Sequence, residues 1–201
     1  DRVIAALALL LLSPVFAIVA LAIKRDSRGP VFFRQKRYGF NNEPIDVFKF
    51  RSMYAEQSDM KAAKLVTKDD PRVTRVGKWI RLLRIDELPQ IWSVLKGDMS
   101  LVGPRPLLMQ YLPLYSPRQA RRHEVRPGIT GWAQVNGRNA LNWPQKFELD
   151  VWYVENRSLW LDIRILWLTV RSVLRRDGIS AAGEATMPAF TGNHLPPSES
   201  G

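Results

Sequence analysis

At 201 residues the chain can bury one full core, and its lack of cysteine excludes disulfides and thiol chemistry and fits contact with cytosol. Two histidines, His123 and His194, exclude a histidine-rich zinc site. A formal charge of +11 selects anionic partners, whether nucleic acid, acidic lipid headgroups or phosphorylated substrates, without choosing among them.

The chain opens on Asp1 rather than Met, which leaves room for upstream sequence. From Val3 to Ile23 run 21 residues in which only Ser13 and Pro14 interrupt apolar character. A straight helix of that length reaches roughly 32 Å, about one bilayer core, so a single crossing is the plain expectation. Pro14 at the midpoint removes a backbone hydrogen bond, and basic residues flank both ends, Arg2 before and Lys24, Arg25 and Arg28 after. These features slightly favour a re-entrant hairpin broken at Ser13-Pro14, which returns both basic ends to the cytoplasm. Lys24-Arg25 stands where a signal peptide would need small residues.

Pro30 to Gln35 and Ile45 to Arg51 have strand composition, and Gly39 to Pro44 has turn chemistry, which predicts a β-hairpin. Lys49 and Arg51 share one strand face, with solvation slightly favoured over phosphate binding. Tyr54 to Lys64 suits an exposed helix. Asp69-Asp70-Pro71 then predicts the start of a basic amphipathic helix to about Leu83, with Val73, Val76, Ile80 and Leu83 inward.

Adjacent carboxylates follow, Asp86 and Glu87, opening a short helix with Leu88, Ile91, Trp92 and Leu95 as its apolar stripe and Gly97 as its stop. Pro89 suits a first helical turn, and Asp86 falls at or beside the N-cap. Capping alone is the ordinary reading of such a pair. Lys78, Arg81 and Arg84 before it and Arg105 after it instead suggest phosphate held beside a carboxylate at a helix N-terminus. Pro104 and Pro106 bracket Arg105 and fix its backbone; a plain loop arginine is the even alternative.

Leu107 to Tyr115 and Pro117 to Glu124 are expected to be helical. In the segment from Arg126 to Asn139, Gly128, Gly131 and Gly137 permit backbone to approach a ligand closely, but no P-loop or Rossmann fingerprint is present. Pro144 to Asn156 predicts a helix, and Ser158 caps another from Leu159 to Arg176. In that last helix Arg164, Arg171 and Arg175 lie on one side, and Trp160, Ile163, Trp167, Val170 and Leu174 form a wide apolar face. Such segregation suits the headgroup region of a membrane as well as it suits a core. The Gly, Ala, Pro and Ser content after Asp177 predicts disorder from about Asn193.

Several motifs now fall in order: Ser13-Pro14 in an apolar segment, Phe48-Lys49-Phe50-Arg51-Ser52-Met53, Asp86-Glu87-Leu88-Pro89-Gln90, Lys96-Gly97-Asp98-Met99-Ser100, Gly103-Pro104-Arg105-Pro106 and Arg126-Pro127-Gly128-Ile129-Thr130-Gly131. Over essentially its whole length the chain resembles the bacterial sugar transferase family, the monotopic polyprenyl-phosphate phosphoglycosyl transferases, in their small single-domain form. The resemblance implies an α+β, mostly helical fold with a re-entrant membrane helix (1–28), a membrane-associated cytosolic catalytic domain (29–192) and a tail (193–201). It implies transfer of a sugar-1-phosphate from a UDP-sugar to undecaprenyl phosphate with release of UMP, on the cytoplasmic face of the bacterial inner membrane. It maps the catalytic dyad onto Asp86 and Glu87 and phosphate-binding arginines onto Arg81 and Arg105, with Lys49 and Arg126 completing the candidate set. Mg²⁺ is the expected cofactor, held by Asp86 and Glu87.

A carboxylate approaching a diphosphate meets roughly 4 kcal/mol of repulsion per unit charge near 4 Å, which cations must cancel. On that argument Asp86 is the expected nucleophile, giving a phosphosugar-aspartyl intermediate, and Glu87 assists either with Mg²⁺ or with positioning the acceptor. Asp177-Gly178-Ile179-Ser180, Gly183-Glu184-Ala185-Thr186 and Phe190-Thr191-Gly192 resemble the tail of members using N-acetylated amino sugars, which favours a donor such as UDP-diacetylbacillosamine over UDP-glucose or UDP-galactose. Other expected partners are anionic phospholipid and downstream glycosyltransferases, but not nucleic acid, for which no reading motif is present. An inactive membrane-anchored scaffold and a sugar-only transferase releasing UDP are the rival readings.

Overall fold

The computed structural model describes residues 1–55, 70–137, 141–175 and 189–192. Its first element is α1 (Arg2–Asp26), a single helix that carries Pro14 in its interior. The expected break at Ser13-Pro14 is therefore absent as a gap in the helix. Pro14 has no N–H for the Leu10 carbonyl one turn back, and the Ser13 hydroxyl donates to that carbonyl at 2.8 Å instead. The Ser-Pro pair thus leaves the Leu10 carbonyl with a donor inside the helix.

Strands β1 (Phe32–Tyr38) and β2 (Pro44–Phe50) pair antiparallel with Phe33 opposite Lys49, joined by a short 3₁₀ turn over Phe40–Asn42. The predicted hairpin is present, its first strand displaced toward the turn. Arg51 leaves the strand and is almost wholly buried. Its guanidinium donates to the Pro30 carbonyl at 2.6 Å and to the Ser27 hydroxyl and carbonyl at 2.8 and 2.9 Å. It staples the end of α1 to the sheet rather than facing water, because the turn after α1 leaves carbonyls that only a long fork can reach.

Helix α2 (Arg75–Leu82) starts five residues later than Asp70 predicts. Asp70 is locked to Arg72, Val73 bridges Met53 in a strand-like contact, and the Thr74 hydroxyl caps the helix by accepting the Gly77 N–H at 2.9 Å. Ile80 is buried as expected, whereas Leu83 is exposed. The expected helix over Tyr54 to Lys64, beyond Ala55, and the tail motifs from Asp177 to Thr186 lie outside the described residues. A 3₁₀ turn over Ile85–Glu87 leads into α3 (Gln90–Lys96), which Gly97 ends in a left-handed conformation (φ 91°). Ile91 and Val94 carry its buried side, while Trp92 is exposed.

The sequence did not predict a second sheet, in which β3 (Ser100–Val102) runs parallel to β4 (Gly128–Thr130). Here Gly103 and Gly128 face each other so closely that a Cβ on Gly128 would lie 2.1 Å from the Gly103 nitrogen. These glycines serve backbone-on-backbone packing, not the approach of a ligand. Single turns α4 (Pro117–Ala120) and α5 (Trp132–Val135) and 3₁₀ turns over Met109–Leu114 and Arg121–Glu124 connect to α6 (Trp143–Asn156), whose capping box is Asn142 with Gln145. The last helix is α7 (Leu159–Arg175), where the Ser158 hydroxyl accepts the Leu161 N–H.

Two apolar clusters fasten α1 to the rest. Ala5 packs with Val47, Ile91, Val94 and Met99; Val19 and Ile23 pack with Phe50 and Ile80. The opposite side of α1, including Val3, Leu7, Leu10, Leu11, Ile18 and Leu21, is exposed. In α7, Leu161 and Ile165 face the core while Trp160 and Trp167 are 76% and 58% exposed. The apolar face read from the sequence is therefore the outward one.

Candidate active site

Three chain segments converge beneath α1, and each gives consecutive residues to two different purposes. Phe50, Ile80 and Ile85 enter the apolar cluster around Val19 and Ile23, whereas Lys49, Arg81 and Asp86, their sequence neighbours, point charge away from it. Arg84 holds a left-handed backbone (φ 58°) just before the 3₁₀ turn that carries Asp86 and Glu87. A non-glycine residue there costs about 1 kcal/mol or more, a strain that packing on both sides must sustain. The acidic pair therefore occupies a strained turn ahead of α3 and is not the N-cap of that helix, a place taken by Pro89.

The two carboxylates have opposite electrostatic fates. Glu87 accepts from Lys49 Nζ at 2.8 Å, from Arg105 Nη1 at 3.1 Å and from Arg105 Nη2. Burial alone would raise its pKa, but Arg105 and Lys49 outweigh burial and hold it well below the usual carboxylate range. Asp86 makes no side-chain hydrogen bond or ion pair with a described residue. Burial raises its pKa and the Glu87 charge adds to that, while Lys49, Arg81 and Arg105 pull the other way. Among the described residues Asp86 is thus an unengaged carboxylate within reach of three cations.

Lys49 and Arg105, read as phosphate ligands, reach the dyad by gripping Glu87 directly, which overturns the slight preference for a solvated Lys49. Arg81 lies within electrostatic range of Asp86 without an ion pair, its own pKa lowered first by burial. Arg126 is elsewhere: it is exposed and lines a cavity with Ser100, Tyr153, Arg157 and Asp162 that none of the dyad residues borders. Lys78 is exposed as well. Sequence reasoning missed Arg37. Its guanidinium donates to Gln35 at 2.5 Å, and burial and then Arg105 lower its pKa to about 10. The only sign of it in the sequence is a third cation in β1 beside a turn.

Among the described residues no three acidic or histidine side chains converge to form a metal cage. The donor set suits Mg²⁺ in its usual manner, with one or two carboxylates and the remaining ligands from phosphates and water. Among the described residues neither Asp86 oxygen has a partner, whereas both Glu87 oxygens are already engaged.

A family model described as bacterial sugar transferase matches residues 1–176. An uncharacterized sugar transferase, EpsL, of Bacillus subtilis (strain 168) is 55% identical over 190 residues, covering 94% of this chain and 93% of the relative. An undecaprenyl-phosphate glucose phosphotransferase of Komagataeibacter xylinus is 50% identical over 186 residues, 85% of this chain and 34% of the relative. A UDP-N-acetylgalactosamine-undecaprenyl-phosphate N-acetylgalactosaminephosphotransferase of Aeromonas hydrophila is 46% identical over 184 residues, 89% of this chain and 43% of the relative. The chain thus spans well under half of these two named transferases and nearly all of the first relative.

Proposed function

As the chain belongs to the bacterial sugar transferase family, we propose that it moves a sugar-1-phosphate from a UDP-sugar to undecaprenyl phosphate, releasing UMP. The observation that carries this reading is the asymmetric dyad, one carboxylate clamped and its neighbour unengaged among cations. A clamped Glu87 fixes Lys49 and Arg105 where phosphate oxygens arrive, and leaves Asp86 as the nucleophile. An Asp86 oxygen bonds the sugar-bearing phosphorus, the bond to the bridging oxygen breaks, and UMP departs with its electron pair. An oxygen of undecaprenyl phosphate then attacks the same phosphorus and restores the aspartate. Arg81 and Arg105 stabilise charge on the phosphoryl oxygens through both steps. Asp86, with Glu87 in support, would hold Mg²⁺, which would supply further charge neutralisation.

The geometry of α1 supports a monotopic membrane association. At its start the Arg2 guanidinium donates to the Lys96 carbonyl at 3.3 Å and Ser100 donates to Asp1 at 2.7 Å. At its end Asp26 accepts the Val76 N–H at 3.0 Å and Arg51 grips Ser27. Both ends of the helix are tied to one polar domain, so a crossing would drag that domain's ion pairs into hydrocarbon. We place the domain on the cytoplasmic face of the inner membrane, with the exposed apolar side of α1 against the bilayer from that side and the outer Trp160–Trp167 face of α7 in the headgroup region.

For the donor, the named relatives act on glucose and N-acetylgalactosamine derivatives. UDP-glucose is accordingly the first candidate and a UDP-N-acetyl-amino sugar the second, which reverses the order drawn from the tail motifs. The test is a panel of UDP-sugars with undecaprenyl phosphate and Mg²⁺. UMP release supports the reading, and UDP release or no nucleotide product from any donor overturns it. With acceptor withheld, intact mass should show a phosphosugar adduct on the protein.

A further inference from the structure

The backbone carbonyl of Arg105, whose guanidinium clamps Glu87, accepts from a buried charge pair that lies outside the dyad. Arg122, in the 3₁₀ turn after α4, is 3% exposed, and Asp150, in the middle of α6, is 5% exposed. Arg122 Nη2 and Nε donate to Asp150 Oδ2 at 2.7 and 3.1 Å, and Nη2 also donates to the Arg105 carbonyl at 2.7 Å. Nη1 reaches the Tyr115 hydroxyl at 3.3 Å, and the guanidinium lies over the rings of Tyr115 and Phe147.

Such a pair is a poor way to stabilise a core, since taking two charges out of water costs about what their attraction returns, and apolar residues would fill an aromatic cage as well. What apolar residues cannot do is donate to the Arg105 carbonyl. That carbonyl belongs to Pro104-Arg105-Pro106, where neither proline carries an N–H. The Pro104 carbonyl is taken by the Gly128 N–H at 3.0 Å, so the peptide is pinned on one side by β4 and on the other by Arg122.

From this geometry we infer that Arg122, oriented by Asp150, is a positioning residue that sets the Arg105 guanidinium against Glu87 and the donor phosphate. The inference rests on the proposed activity for its substrate, and extends the machinery to a pair that touches neither substrate nor metal. The test is the double variant R122M/D150L, which replaces the ion pair by apolar side chains, measured with and without Arg105→Ala. The thermal midpoint should stay within about 5 °C of the parent or rise. UMP turnover should nevertheless fall at least tenfold, and adding Arg105→Ala should then cost less than a third of what it costs the parent. Retained turnover, or an Arg105→Ala penalty of the same size in both backgrounds, overturns the inference and leaves the pair a packing feature.

Should R122M/D150L fail to fold, Arg122→Lys carries the same comparison, because one ammonium cannot reproduce the fork between Asp150 and the carbonyl. The coupling is also read in the affinity for UDP by calorimetry. Absence of UMP release from the parent sinks the proposed function, whereas additive effects on UDP affinity sink this inference alone.

Discussion

Exchanging each member of the dyad for its amide should separate the nucleophile from its neighbour, because the structure gives the two carboxylates different energetic roles. Glu87→Gln removes the charge that Lys49 and two Arg105 nitrogens share, at a side chain only 20% exposed. Breaking a fully buried pair costs about 3–5 kcal/mol, and the 40% exposure of the Arg105 side chain discounts that to about 2 kcal/mol. In a domain of this size the thermal midpoint should drop by about 4–8 °C. Asp86→Asn removes a carboxylate that has no hydrogen-bond or ion-pair partner among the described residues, that burial penalises and that Glu87 repels. It should leave stability within about 0.5 kcal/mol of the parent or raise it, the usual signature of a residue kept for function against the interest of the fold. Turnover should fall at least about 10³-fold, as expected when a nucleophile is removed. Thermal unfolding in detergent and UMP release, measured on the same preparations, provide both readings. An Asp86→Asn protein that keeps more than about a tenth of parental turnover, or that loses as much stability as Glu87→Gln, would refute the reasoning.

The other predictions concern the scaffold and the membrane. His123 donates through Nδ1 to the Gly39 carbonyl at 3.0 Å, and burial, reinforced by Arg122, lowers its pKa from 6.5 to about 4. The folded state therefore resists protonation that the unfolded state accepts, so the contribution is complete above pH 6.5 and is lost as pH falls toward 4. Acidification across that window should remove about 3 kcal/mol, and His123→Gln should flatten the dependence in urea titrations at successive pH values. Gly128→Ala would place a Cβ 2.1 Å from the Gly103 nitrogen and 2.3 Å from the Thr130 carbonyl oxygen, and should destabilise by about 3 kcal/mol, read as a lowered urea midpoint. Exchange of Trp160 and Trp167 together for Ala should leave the urea midpoint nearly unchanged, because both are exposed, while weakening partition onto anionic vesicles several-fold; unaltered partition would remove α7 from the membrane surface.

Local chemistry made much of this fold legible, and long-range contacts supplied what was not. The hairpin from Phe32 to Phe50, the cap at Ser158 and the stop at Gly97 depend on residues within a few positions of one another. Asp70 misled because its role as an apparent cap is claimed by Arg72 two residues on, which leaves Thr74 to start the helix. Arg51 misled more instructively, since alternation alone places it beside Lys49, and only the carbonyls of Ser27 and Pro30 explain its burial. The dyad itself was visible as two acids in a basic neighbourhood. The difference between them was not, because it depends on Lys49 and Arg105, 38 and 18 residues away from Glu87. Three-residue strands at Ser100 and Gly128 have no period to read, and their pairing follows from the fit of facing glycines.

The alternation of apolar and charged neighbours around Asp86 also bears on how a lipid-borne acceptor would meet a water-borne donor. Phe50, Ile80 and Ile85 face Val15, Phe16, Val19 and Ile23 of α1, so the wall that supports the charged groups is continuous with the helix whose other side is exposed and apolar. An acceptor with a long hydrocarbon tail loses least by keeping that tail against an apolar surface while its phosphate seeks cations. Lys49, Arg81 and Asp86 are each one residue along the chain from that surface, which on the proposed reaction would put the acceptor phosphate near Asp86 without drawing the tail into water. On the proposed reaction a nucleotide diphosphate, which has no such tail, would meet the cations Arg37, Arg84 and Arg105 that lie within electrostatic range of Glu87. The proposed reaction would then have two anionic substrates use the Asp86 carboxylate in turn. The partition requires α1 to remain packed on Phe50, and substitutions that loosen this contact should raise the KM for undecaprenyl phosphate more than that for the UDP-sugar.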